Sequence, residues 1–135
     1  MQNWWANIWK LKSPPRTKLF FWCLLRNKIA TGESIMHRSV HGPTWCILCK
    51  QQSESTTHLF LTCKVTNQIW KTIIEELGIV SKWENEIISI AWENWYQAHS
   101  GSNRAFLPLI ISWAIWLNRN KMIFENGLIH WQSVT

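Results

Sequence analysis

A chain of 135 residues with 47% apolar residues and a net charge of +6 is too apolar for a disordered tail. At this length it can form one folded domain, burying about two thirds of the surface its unfolded chain exposes. No stretch reaches the roughly eighteen apolar residues of a membrane span; the nearest, FLPLIISWAIWL at 106–117, is shorter and carries Pro108.

The start, MQNWWANIWKLK, lacks the basic, apolar and small-residue stages of a signal peptide, and the chain has no Asn-x-Ser/Thr acceptor. The expected setting is therefore a reducing compartment, cytoplasm or nucleus, with no membrane partner. There, clustered cysteines more often hold metal than form disulfides. The charge is concentrated. Residues 10–38 hold seven basic side chains and one acid, Glu33, while the rest of the chain balances seven against seven. Every acid is Glu; there is no Asp. Twelve tryptophans must mostly pack inside or against a partner, because that much exposed indole drives aggregation.

In chain order, NWWANIWKL places Trp5, Ile8 and Trp9 on one face of a helical turn. The paired prolines of KSPPR stop it. Residues 16–29 are apolar almost all round a helix, which predicts a central core element. ATGES breaks it, and Thr31 or Glu33 opens a short helix through Met36 and Arg38. HGPTW is a loop leading into the cysteines. Residues 58–77 read as one helix, ended by Gly78. SKWENEIISIAWENWYQ predicts an amphipathic helix with Ile87, Ile90 and Ala91 inward. HSGSN is a linker, residues 104–124 form a last, mostly buried helix, and LIHWQSVT could begin a strand. The fold class is mainly α: a small helical domain with an irregular Cys3His zinc-binding loop.

That loop carries the chemistry. Cys46, Cys49, His58 and Cys63 are spaced C-x2-C-x8-H-x4-C. Two cysteines separated by two residues can aim both thiolates at one ion across a tight turn, and three sulfurs with one imidazole fill the tetrahedral shell of Zn2+. A full shell has no place for water or substrate, so such a zinc is structural. Spacing leaves a rival open: His37 and His41 precede the same cysteine pair and could form a His-His-Cys-Cys shell. Cys23, inside FFWCLLR, suits a buried, inert thiol. His99 and His130 read as surface or packing residues.

The stretch resembles the zinc-binding domain found beside reverse transcriptases of LINE-type, non-LTR retrotransposons, abundant in plant genomes. The residues that carry the resemblance are Trp5, Ile8-Trp9, Pro15, Lys18, Phe21-Trp22, Asn27, Ile29-Ala30-Thr31, Arg38, Cys46, Cys49, Glu54, His58-Leu59-Phe60, Cys63 and Trp70. It implies Cys46, Cys49, His58 and Cys63 as ligands to one structural zinc, with Glu54 and Leu59-Phe60 supporting them. SWAIWLNRNKMIF is similar to the segment that precedes an RNase H-like domain in longer relatives. The implied division is a zinc-binding domain at 4–78, a helical extension at 79–125 and a tail at 126–135, as a piece of a polyprotein. The H-x4-C half resembles a retroviral zinc knuckle, but eight residues between Cys49 and His58 are too many for that compact motif.

Two functions follow as expectations. In the first, the module assists binding of RNA or single-stranded DNA. Lys10, Lys12, Arg16, Lys18, Arg26 and Lys28 would meet phosphates, and Trp45, in the zinc loop, would stack on unpaired bases. In the second, it is an adaptor packed against the polymerase or RNase H domain. Catalysis is not expected. Two-metal nucleases and polymerases hold Mg2+ with clustered carboxylates, and the adjacent Glu75 and Glu76 diverge on a helix.

Overall fold

A computed structural model of the protein describes residues 4–29, 31 and 45–125. Apart from Thr31, the short helix expected at 31–38 lies outside them, as do His37, His41, His130 and the tail strand. Among the described residues are five α-helices: α1 (Trp4–Trp9), α2 (Pro15–Leu25), α3 (Lys64–Leu77), α4 (Ile88–His99) and α5 (Leu107–Glu125). A π-helical turn (His58–Thr62) precedes α3, and a 3-10 turn (Asn103–Phe106) precedes α5. The described residues contain no strand, only an isolated bridge between Trp45 and Ser53. The mainly α expectation holds.

α1 ends at Trp9, five residues before the paired prolines expected to stop it, and the prolines instead begin α2. Pro14 is extended and Pro15 occupies the first turn, where a missing N–H costs nothing. The buried Ser13 and Thr17 hydroxyls meet at 2.6 Å, and Thr17 donates to the Pro14 carbonyl at 2.7 Å. α2 ends at Leu25, four residues before the apolar pattern does. Asn27 adopts φ 56°, with Asn27 N–H bonded to Leu24 O and Lys28 N–H to Cys23 O. This is a Schellman closure with asparagine in the usual glycine position. α3 ends in the same way with the expected residue, Gly78 at φ 65° and Ile79 N–H bonded to Ile74 O.

Three expectations need correction. α4 turns a different face inward: Ile88, Ala91, Trp92 and Trp95 are buried, while Ile87 and Ile90 are exposed. The i, i+3, i+4, i+7 stripe containing two indoles removes more apolar surface from water than one built on two isoleucines. α5 is buried on one side only, with Leu117 exposed, and its first residues form the 3-10 turn. Pro108 has no N–H for the Arg104 carbonyl, which accepts from the Leu107 N–H of the 3-10 turn and from Trp95 Nε1 at 2.9 Å. Cys23 is half-buried rather than buried: it packs against the margin of the core, not within it.

The core is aromatic. α2 packs along α5, and Phe20 meets Phe60, Trp113 and Trp116 edge-on or tilted at centroid distances of 5.9, 5.2 and 6.0 Å. Phe21 meets Trp92 edge-on at 5.2 Å. Trp70 and Trp83 stack at 5.2 Å, with Trp95 set edge-on to Trp70. Such pairs add about 0.5–1.5 kcal/mol each beyond their buried area. Residues on both sides of Gly78 share this core.

One buried group in α5 has no counterpart. Ser112 is fully buried and its hydroxyl has no hydrogen-bond partner. An unsatisfied buried hydroxyl carries a desolvation penalty, and alanine is the better helix former. Ser112→Ala should therefore stabilise the protein by about 1 kcal/mol, measured as a raised midpoint in thermal or urea unfolding.

Candidate metal centre

The site is built from two backbone devices. The first is the turn at 46–50. The Trp45–Ser53 bridge pinches its base, Cys46 N–H bonds Gln52 O at 2.7 Å, and Lys50 N–H bonds Cys46 O at 2.8 Å. Lys50 takes φ 58° to close it. The turn leaves backbone N–H groups facing sulfur: those of Leu48 and Cys49 face Cys46, and those of Gln51 and Gln52 face Cys49.

The second device is the π turn. In an α-helix, at about 100° per residue, positions i and i+5 point about 140° apart. His58 and Cys63 could not then share a ligand, and the single helix expected over 58–77 would have separated them. Instead Cys63 N–H bonds His58 O at 2.7 Å, the i+5 bond of a wider turn. Cys63 itself is extended, at φ −61° and ψ 134°, and caps α3. The carbonyls freed by this break are recovered by side chains. Thr66 Oγ1 donates to Leu59 O at 2.6 Å and Trp83 Nε1 donates to Phe60 O at 2.9 Å. Ser55 Oγ accepts from His58 N–H at 3.0 Å.

Together these devices bring one ligand atom from each of Cys46, Cys49, His58 and Cys63 within 4.8 Å of one another. Cys46 Sγ and Cys63 Sγ are 3.9 Å apart, and Cys49 Sγ lies 3.2 Å from His58 Nε2. With Zn–S bonds of about 2.3 Å, two sulfurs of a tetrahedron stand about 3.8 Å apart, and a sulfur–nitrogen edge is slightly shorter. The donor set and its spacing fit zinc. His58 Nδ1 faces Thr62 Oγ1 at 3.4 Å, which suits a ring that donates from Nδ1 and keeps the Nε2 lone pair for a metal.

The electrostatics of the four differ. Burial, opposed by N–H groups of Cys49 and Leu48, pushes the Cys46 thiol up to about 12. Burial also raises Cys49, but the Gln51 N–H, the Cys63 and Cys46 thiols and the Gln52 N–H outweigh it and hold Cys49 below its ordinary value. Burial lowers His58, against the opposing pull of Glu54. Neutral imidazole is the ligating form.

Around the four lies a buried support. Asn27 Oδ1, at the end of α2, accepts from Thr56 Oγ1 at 2.6 Å. Glu54, between Cys49 and His58, receives Arg119 of α5 through Nε at 2.8 Å and through Nη2, both residues fully buried. Arg119 was missed by sequence reasoning. Its partner is 65 residues away, and the signal available was that Glu54 is the single acid between Glu33 and Glu75.

Lys10 and Lys12 lie between α1 and α2, Arg16, Lys18 and Arg26 on or at the end of α2, and Lys28 just beyond. Five of them are exposed; Lys18 is half-buried, its Nζ 3.5 Å from Trp9 O. Trp45 is 40% exposed, beside Lys50 in a shallow depression of the zinc loop. His99 packs against Trp95 at 4.4 Å. No helix of the described residues is long and apolar enough to cross a membrane.

Fold and site together define a small helical module organised around a Cys3His cluster. A family model described as zinc-binding in reverse transcriptase matches residues 1–70, and the chain belongs to that family. A curated relative in Arabidopsis thaliana, described as "Putative ribonuclease H protein", is 28% identical over 69 residues. The match spans 51% of this chain and 11% of that relative's length. No solved structure matches.

Proposed function

We propose that Cys46, Cys49, His58 and Cys63 hold one structural zinc ion, and that the module so fixed assists nucleic-acid binding within a retrotransposon-derived polyprotein. The observation that carries the zinc reading is the convergence of four donor atoms in a chain of a zinc-binding family. Zinc would cross-link the turn at 46–50 to the π turn, and the protein supplies all four ligands, so the site is built to hold shape rather than to activate water. The module has no catalytic role of its own in this reading. Reverse transcriptase and RNase H domains of the same polyprotein are its proposed neighbours, in cytoplasm or nucleus.

The nucleic-acid reading is supported by charge. Residues 1–32 contain no acid, and among the described residues no ion pair joins Lys10, Lys12, Arg16, Lys18, Arg26 or Lys28. If all six meet phosphates, the affinity for a single strand should fall with salt at a log–log slope of up to about −4.

The purified protein should contain one zinc per chain. Cys49→Ser and His58→Ala should lose it, while His37→Ala and His41→Ala should keep it; the reverse pattern would move the ligand set upstream. Binding of RNA and single-stranded DNA by the zinc-loaded chain should weaken steeply with salt. A flat or absent response would leave the adaptor reading, which is favoured by apolar side chains exposed on α3, α4 and their connection: Leu77, Ile87, Ile90 and Val80, the last 95% exposed.

A further inference from the structure

Resting on the nucleic-acid reading above, we propose that the outward side of α2 is a binding strip for single-stranded nucleic acid, with Trp22 and Arg26 as its base-stacking platform. Thr17, Phe20, Phe21, Leu24 and Leu25 face the core. At about 100° per residue, Arg16, Leu19, Trp22, Cys23 and Arg26 fall together on the other side, where Trp22 and Cys23 are half-buried with one edge against the core. Along this side the chemistry alternates: a cation, an exposed aliphatic side chain, an indole, a second cation. Leu19 is 53% exposed, and the Arg26 guanidinium lies over the Trp22 ring at 4.6 Å from its centroid.

This arrangement matches one kind of occupant. Cations alone would suit any polyphosphate, including a duplex read through its backbone. They do not explain why an exposed leucine and a half-buried tryptophan stand between them. Unpaired bases offer flat apolar faces that cover both, while phosphates meet the flanking arginines, and aromatic and guanidinium planes stack with any base. Arg16 and Arg26 are about 15 Å apart along the axis, a span of a few nucleotides. Neither has an ion-pair partner among the described residues. The stacking role falls to Trp22 rather than to Trp45 in the zinc loop.

The test is fluorescence anisotropy of the zinc-loaded full chain with labelled oligo-U, oligo-dT and a duplex of equal length, over a salt series. Both single strands should bind more tightly than the duplex. Trp22→Ala should weaken them by about 5- to 150-fold with the salt slope unchanged, and Trp22→Phe, which keeps an aromatic face, should restore part of the loss. Arg16→Gln and Arg26→Gln should each flatten the slope by about 0.7. Trp45→Ala should have no effect. Leu19→Glu, which leaves the core untouched, should weaken both single strands and so tests the strip even where Trp22→Ala does not fold. Neutral Trp22 and Leu19 variants, or a duplex bound as tightly as single strands, would overturn the proposal while the nucleic-acid reading stood. Absence of salt-dependent binding by the unaltered chain would remove that reading itself.

Discussion

Chelation of the metal, or Cys63→Ser, is expected to abolish cooperative unfolding of the module and to collapse the near-ultraviolet signal of its tryptophans. The reason is comparative magnitude. A structural zinc site contributes an apparent 10–16 kcal/mol or so in small domains, while an ordinary domain is stable by about 5–15 kcal/mol in total. Cys46, His58 and Cys63 are buried, and Cys63 also caps α3, so loss of the ion unseats a helix as well as a loop. The pH dependence has a definite sign. Zinc binds the deprotonated ligands. With its thiol pushed up to about 12, chiefly by burial, Cys46 gives up a full proton on binding throughout the neutral range, so zinc affinity should rise about tenfold per pH unit from this residue alone. His58 is lowered, chiefly by burial. Stability from its neutral form is present above the ordinary value of 6.5 and lost as pH falls below it. Both effects make acid release the metal. Zinc release followed with a colorimetric chelator across pH, together with circular dichroism, checks this; a protein that stays folded and indifferent to EDTA would refute it.

The ligand spacing was legible because zinc chemistry is local: C-x2-C and H-x4-C each state a turn. The backbone that realises the second half was not. Periodicity over 58–77 describes a helix, and nothing in a count of apolar positions distinguishes thirteen-atom from wider hydrogen-bonded rings. The break at Cys63 is supported by Thr66 and by Trp83, the latter 23 residues from the carbonyl it binds. The end of α2 escaped notice for a related reason. Asn27 is a weaker left-handed signal than glycine, and its side chain is also committed to Thr56, 29 residues away. In α4 the alternatives differed by one residue of register, and the choice fell to Trp92 and Trp95, whose partners Phe21 and Trp70 belong to other elements. Local chemistry was readable; the groups that complete it across the chain were not.

The largest effect away from the ligands should come from Arg119. Arg119 and Glu54 are 3% and 1% exposed, with two hydrogen bonds between them. Arg119 Nη1 also donates to Asn120 Oδ1 at 2.8 Å, and its guanidinium lies 4.6 Å over the Trp116 ring. Removing one partner of such a buried pair strands the other charge away from water, at a cost of about 3–5 kcal/mol. Arg119→Met should therefore lower the urea midpoint of the zinc-loaded protein severely. Arg119→Lys should not rescue it, since an ammonium cannot supply the two-pronged contact to both carboxylate oxygens. Replacing both partners, as in Glu54→Leu with Arg119→Met, should be far milder than either single change, because no charge is left stranded. The same single changes should weaken zinc binding, since Glu54 sits between Cys49 and His58 and its anchor on α5 fixes the path of the loop between them. High salt should leave these differences intact, as it screens buried pairs poorly. If the two single changes prove additive in the double variant, the pair is not coupled, and the link between the metal loop and α5 is packing alone.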